Sequence, residues 1–76
     1  MIEIAQTLDV RGQSCPLPVV RASQAIKQLE AGQLLEVLAT DPGSLTDFPA
    51  WSKTTGNEIV EQNQGDGVFR YVLRKA

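Results

Sequence analysis

Ser14-Cys15-Pro16-Leu17-Pro18 is the stretch from which the chain reads in both directions. It holds the single cysteine of a 76-residue sequence, set between a polar loop and an amphipathic run. A residue that precedes proline is pushed out of the α region. Proline itself suits the first turn of a helix, where the N–H it lacks would have found no intrahelical partner. The two rules together close a loop at Cys15 and open a helix at Pro16. They put Cys15 at the N-cap, with its sulfur near the positive end of the helix dipole. A thiol placed there is expected to ionise below its ordinary value of about 8.5 and to be the better nucleophile for it. Pro16 and Pro18 carry no N–H, so Leu17 holds the donor placed to meet the sulfur. The competing reading is plain packing, because a lone cysteine is commonly a small buried hydrophobe.

Downstream, Val19, Ala22, Ile26 and Leu29 recur at helical spacing. They predict a helix over residues 16–31 with those side chains on the sheet and Arg21, Gln24 and Gln28 on the other side. Gly32 supplies its stop. Upstream, Ile2, Ile4, Leu8 and Val10 share one phase of an alternating pattern that Gln6 breaks, which reads as a strand with one buried face. Arg11-Gly12-Gln13-Ser14 is the loop between them. Gly12 reads as a turn glycine or as a place where a partner comes close to the backbone. Residues 34–40, rich in Leu and Val, read as a buried strand. Strand, helix and strand in this order imply a right-handed parallel crossover.

The second half repeats the theme and ends on a hairpin. Asp41-Pro42-Gly43 is a turn. Ser44-Leu45-Thr46-Asp47 resembles a capping box with Asp in place of Glu, so a helix is expected from Ser44. Pro49 lies too deep for its first turn, which predicts a kink or a separate short turn before it. Leu45, Phe48 and Trp51 or Ser52 make the expected inward face, and Gly56-Asn57 the end. Residues 58–63 read as a weakly apolar edge strand, 64–67 as a turn, and 68–74 as a last strand with Phe69, Tyr71 and Leu73 on one face. The order is βαβαββ. Two helices can cover only one face of four strands, leaving the other to solvent or to a partner.

Bulk composition narrows the function. The apolar fraction, 42%, suits one globular domain over 1–76 and is too high for disorder. A net charge of −2 gives no general attraction for nucleic acid. One cysteine forms no internal disulfide, Met1-Ile2-Glu3-Ile4 is no signal peptide, and no apolar run reaches transmembrane length. The expectation is a cytoplasmic monomer that neither inserts in a membrane nor binds nucleic acid directly. The sequence has no histidine, which excludes Cys–His and Ser–His catalysis. With one cysteine it also leaves no zinc site, and Asp9, Asp41 and Asp47 read as caps and turns before they read as magnesium ligands.

Leu8-Asp9-Val10-Arg11-Gly12 followed by Cys15-Pro16-Leu17-Pro18 resembles the signature of the TusA/SirA family of small sulfur-carrier proteins. Asp41-Pro42, Asp47-Phe48-Pro49, the Gly56 stop and the final hairpin are similar as well. The resemblance implies an α+β fold, a two-layer α/β sandwich with a mixed four-stranded sheet and two helices on one face. It implies a sulfurtransferase with Cys15 of the Cys-Pro-x-Pro motif as the catalytic residue, a persulfide on Cys15 as covalent intermediate, and no dissociable cofactor or metal. Its partners would be a sulfur donor, such as a cysteine desulfurase or rhodanese, and an acceptor protein. The pathways so served include tRNA thiolation, molybdenum-cofactor supply, sulfur oxidation and thiosulfate uptake. Pro16, Leu17 and Pro18 would fix the helix start and support the thiolate, while Gly12, Arg11 and Arg21 would meet a partner or an anion. Some relatives have a second cysteine where this chain reads Ala50-Trp51-Ser52. A single thiol suits a carrier, since a resolving cysteine in the same chain would expel the cargo as sulfide. The alternative is a non-catalytic binding or regulatory module, for example an accessory subunit for thiosulfate uptake.

Overall fold

Alternation in Leu34–Ala39 sets the layers. Leu35, Val37 and Ala39 are fully buried, while Leu34, Glu36 and Leu38 between them are half-buried. The strand therefore has a core face and an open face. In the computed structural model, which describes residues 3–76, the elements run β1 (Ile4–Val10), α1 (Leu17–Ile26), β2 (Leu34–Ala39), α2 (Ser44–Thr55), β3 (Glu58–Gly65) and β4 (Val68–Arg74). The sheet order is β1-β2-β4-β3, with β1 parallel to β2 and the other pairs antiparallel. The expected βαβαββ order and mixed sheet are therefore found, and β3 is an edge.

Register brings Val10, Leu35, Val37, Ala39, Tyr71 and Leu73 to one side. Val10 lies opposite Ala39, Leu35 opposite Leu73, and Val37 opposite Tyr71. Ala22 and Ile26 of α1 and Phe48 and Trp51 of α2 close over them in one core. Phe48 is its centre: its ring stands 4.5 Å from Tyr71 and 6.1 Å, edge to face, from Trp51. The open face is charged. Thr7 donates to Glu36, and Arg70 bridges Glu36 and Glu61. Arg74 pairs with Glu58 on the same face.

Several boundaries differ from those the sequence predicts. A register shift between Ile4 and Gln6 turns the strand over, so Ile4 aligns with Leu34 while Leu8 aligns with Val37. The break at Gln6 is thus a bulge, which puts Ile4 out of phase with Leu8. Ile2, read into the same strand, lies outside the described residues. α1 begins at Leu17 with Pro16 as its cap, and it ends at Ile26, not at Ala31. Beyond it, Gln28 and Leu29 donate to the carbonyls three residues back, and Glu30 N–H turns to the Gln33 side chain. These local bonds replace the helical ones, although Leu29 still packs on the core. Gly32 serves the chain's end instead of the helix's, donating to the Lys75 carbonyl.

α2 runs through Pro49 as one helix, with no separate turn before it. Its buried positions are Ser44, Phe48 and Trp51, one residue out of step with the expected Leu45, which is exposed. It stops at Gly56 in the left-handed conformation, as the sequence suggests. The hairpin between β3 and β4 closes on Asp66 and Gly67, both with positive φ, a turn whose twist matches that of paired strands.

Candidate functional site

Cys15 sits exposed in the loop between β1 and α1. The loop is tied at several points. Gln13 N–H donates to the Val10 carbonyl, and Gly12 N–H donates to Thr40 Oγ1 at 2.8 Å. Gly12 holds φ at +82°, where a side chain would be strained. Its donor is taken by Thr40, the residue that follows β2.

The helix start differs from its expected form. Pro16, not Cys15, occupies the cap, and the Cys15–Pro16 peptide is cis. Leu17 N–H donates to the Ser14 carbonyl at 3.0 Å, closing a tight turn around Cys15. It does not meet the sulfur, so the expected thiolate support from Leu17 is corrected. Pro18 is fully buried. Leu17 and Val20 are exposed on the same end of α1, and Leu45 is exposed on the first turn of α2.

The sulfur instead faces α2. Cys15 S–H donates to Asp47 Oδ2 at 2.6 Å, across 32 residues of sequence. Cys15 N–H donates to Asp41 Oδ2 at 3.0 Å. Two carboxylates thus hold one cysteine, one by its side chain and one by its backbone. The thiol is pushed above its ordinary value: chiefly by the hydrogen bond to Asp47, then by lost hydration, then by the charges of Asp47 and Asp41. This reverses the depression expected from a helix N-terminus. The reason is direction, since the thiol points at an anion and not at free amides.

Gly43 and Ser44 bring the carboxylates there. A Cβ on Gly43 would stand 2.8 Å from Asp41 Oδ2 and 3.3 Å from Cys15 Cβ, so only glycine lets the two approach over it. Ser44 is buried, and its hydroxyl shares a 2.8 Å hydrogen bond with Tyr71 OH. That bond pins the first turn of α2 to the centre of the sheet. Neither Ser44 nor Asp47 forms the capping box read from sequence, for α2 has no side-chain cap and Gly43 stands at its N-cap.

The arginines are less involved than the sequence suggests. Arg11 is clamped by its side chain and its backbone N–H to Asp9, which that pairing holds down to about 2. Both are half-exposed, so the pair adds little stability. Arg21 reaches Gln13 in the Cys15 loop at 3.5 Å. Sequence reasoning missed Asp47 as a partner of the sulfur. A signal was present: the fourth residue of the supposed capping box is Asp, whose short side chain suits the reach back to the N-cap less well than Glu or Gln. Among the described residues, no group of three or more acidic or cysteine side chains is placed to hold a metal ion. No helix among them is long and apolar enough to cross a membrane.

The sequence matches the family model described as Sulfurtransferase TusA over residues 6–75. It is 43% identical to the sulfur carrier protein TusA of Allochromatium vinosum over 76 residues, the full length of both chains. It is 51% identical to a candidate sulfur carrier protein of Halobacterium salinarum, covering 96% of this chain and 91% of that one. The crystal structure of a SirA-like protein from Desulfitobacterium hafniense superposes with a TM-score of 0.80 at 32% identity, covering 91% of this chain and 95% of that one.

Proposed function

This chain belongs to the TusA family of sulfur carriers, and on that premise we propose that it is a sulfurtransferase that holds a persulfide on Cys15 and relays the outer sulfur between partner proteins. The observation that carries this reading is the setting of Cys15: a lone, exposed thiol on a loop fastened to Thr40, just after β2, and to α2. Exposure lets a second protein reach the sulfur. The lack of another thiol in the chain means that nothing internal can resolve the persulfide to a disulfide.

The chemistry is an exchange without net oxidation. The Cys15 sulfur attacks the outer sulfur of a donor persulfide, R–S–SH, in which R is a donor protein such as a cysteine desulfurase or rhodanese. The donor's S–S bond breaks as the new one forms. Cys15 ends as Cys15–S–SH and the donor as R–SH, which receives the proton that Cys15 gave up. Delivery runs the same step with an acceptor cysteine as nucleophile. The exposed Leu17, Val20 and Leu45 offer apolar surface for either partner. Downstream uses in tRNA thiolation, cofactor biosynthesis or sulfur oxidation are open to such a carrier, which works in the cytoplasm.

Incubation with a cysteine desulfurase and cysteine, or with a rhodanese and thiosulfate, followed by intact-mass measurement without reductant, tests this. Wild type should gain the mass of one sulfur atom, and Cys15→Ser should gain none. A wild-type chain that gains nothing from either donor would favour a non-catalytic binding or regulatory module instead.

A further inference from the structure

Asp47 touches the atom that the carrier reading loads and unloads, and that reading gives it no part. Its Oδ2 lies 2.6 Å from Cys15 Sγ and accepts a hydrogen bond from the thiol. The charged groups around the sulfur are otherwise these. From the β2–α2 turn, Asp41 holds the Cys15 N–H. From the end of β1, Arg11 is turned to Asp9. From α1, Arg21 reaches only Gln13. The sulfur therefore meets one carboxylate directly, Asp47, with a second, Asp41, on the backbone N–H of the same residue, and neither arginine pairs with them.

Resting on the carrier reading above, we propose that Asp47 is a positioning residue for sulfur transfer that separates the empty carrier from the loaded one: it ties down the neutral thiol and repels the persulfide anion. A carboxylate only accepts hydrogen bonds, so its hold on Cys15 requires a proton on the sulfur. The empty thiol supplies one. Loading converts Cys15–SH and R–S–SH into Cys15–S–SH and R–SH. A persulfide is a stronger acid than the thiol it replaces, so at neutral pH its outer sulfur carries negative charge and no hydrogen. Two anions then meet where a donor and an acceptor met before. The loaded side chain leaves Asp47 and presents its outer sulfur to solvent. Unloading leaves the charge on the Cys15 sulfur, which takes up the proton shed by the acceptor thiol, and the bond to Asp47 closes again. While empty, the carrier is shielded, because the thiolate is the form that alkylating agents and oxidants attack.

The test uses the full chain with Asp47→Asn, which removes the charge and keeps the shape, and Asp47→Ser as a second uncharged variant. Thermal melts establish that both are folded. Iodoacetamide is the probe of the empty thiol, and inorganic polysulfide loads the carrier without a partner protein. At about pH 7.5, below the ordinary thiol value, both variants should alkylate several-fold faster than wild type. Loading should move the amide resonances of residues 44–47 in wild type and leave them nearly in place in Asp47→Asn. Equal alkylation rates, or equal loading shifts in wild type and variant, overturn the proposal while the carrier reading stands. A wild-type chain that takes up no sulfur overturns the carrier reading, and the proposal with it.

Discussion

Removing one hydroxyl at the centre of the sheet tests how the site is held. Tyr71→Phe deletes one partner of the 2.8 Å bond to Ser44, and Ser44→Ala deletes the other. Tyr71 is 0% and Ser44 1% exposed, so water cannot take the vacant place without rearrangement. An orphaned buried polar group costs about 1–3 kcal/mol, whereas replacing both partners by apolar groups is close to neutral. Each single variant should therefore lose about 1–2 kcal/mol, and the double variant no more than either. The stacking on Phe48 survives in Tyr71→Phe, which keeps the loss to the hydroxyl. In a domain of this size 1 kcal/mol moves Tm by roughly 4–8 °C, so both single variants should melt visibly earlier. Urea and thermal denaturation of the four proteins complete a double-mutant cycle. Asp47 stands one turn along from Ser44, so the single variants should also alkylate faster at Cys15. Strict additivity, with the double variant losing the sum of the two, would refute the claim that this bond positions α2. Burial lifts the Tyr71 phenol above its ordinary value, opposed by Ser44 and helped by the charge of Asp47. A raised acid gives stability that is complete below its unfolded value of about 10 and is lost as pH rises through the folded one. Wild type should therefore lose stability in alkali faster than Tyr71→Phe.

Three further outcomes follow from the site. Gly43→Ala should force Asp41 Oδ2 off the Cys15 N–H, costing about 1 kcal/mol and offset in part by about 0.4–1 kcal/mol from a stiffer unfolded chain; amide exchange at Cys15 should quicken, and unchanged exchange would show that Asp41 does not hold it. The alkylation rate of Cys15 against pH should rise with a midpoint above the ordinary thiol value, and the stability margin over Cys15→Ala should shrink as pH climbs through that midpoint, because a raised thiol favours the folded state only while protonated. A midpoint at or below the ordinary value would mean that Asp47 exerts no hold in solution. Pro18→Ala removes two buried methylene groups and should cost about 1.5 kcal/mol; a Tm equal to wild type would show that Pro18 matters only for the approach to Cys15.

Strands were legible because their signal is local. Phe69, Tyr71 and Leu73 alternate, and they share a face whatever pairs beside them. Both ends of β4 come where the sequence puts them, helped by Asp66 and Gly67, which accept positive φ. Helix ends were less legible. Leu29 keeps the apolar spacing after α1 has stopped, since a tight turn can deliver the same side chain to the same core. In β1, Gln6 marked a break, but whether it was one polar residue in a regular strand or a bulge depended on the register against β2. Cys15 stood out as the one thiol. Its acceptor did not, because that meeting depends on how α2 lies against a loop 32 residues away.

The capping-box reading failed for a reason that can be traced through the backbone. A box is needed where the first N–H groups of a helix lack acceptors. In α2 they have them already. Ser44 N–H donates to the Asp41 carbonyl, Leu45 N–H to Pro42, and Thr46 and Asp47 N–H both to Gly43. The Asp41-Pro42-Gly43 turn winds directly into the helix and closes its start from the main chain. With those donors satisfied, neither Ser44 nor Asp47 is required at the cap, and their side chains are available to other elements. Ser44 turns inward to Tyr71 and Asp47 turns across to Cys15. The same turn supplies Asp41 and the bare Gly43 over which Asp41 reaches the Cys15 backbone. A substitution that opens the turn should therefore disturb the sulfur from two sides at once, whereas one that alters only the far end of α2 should leave it as it is.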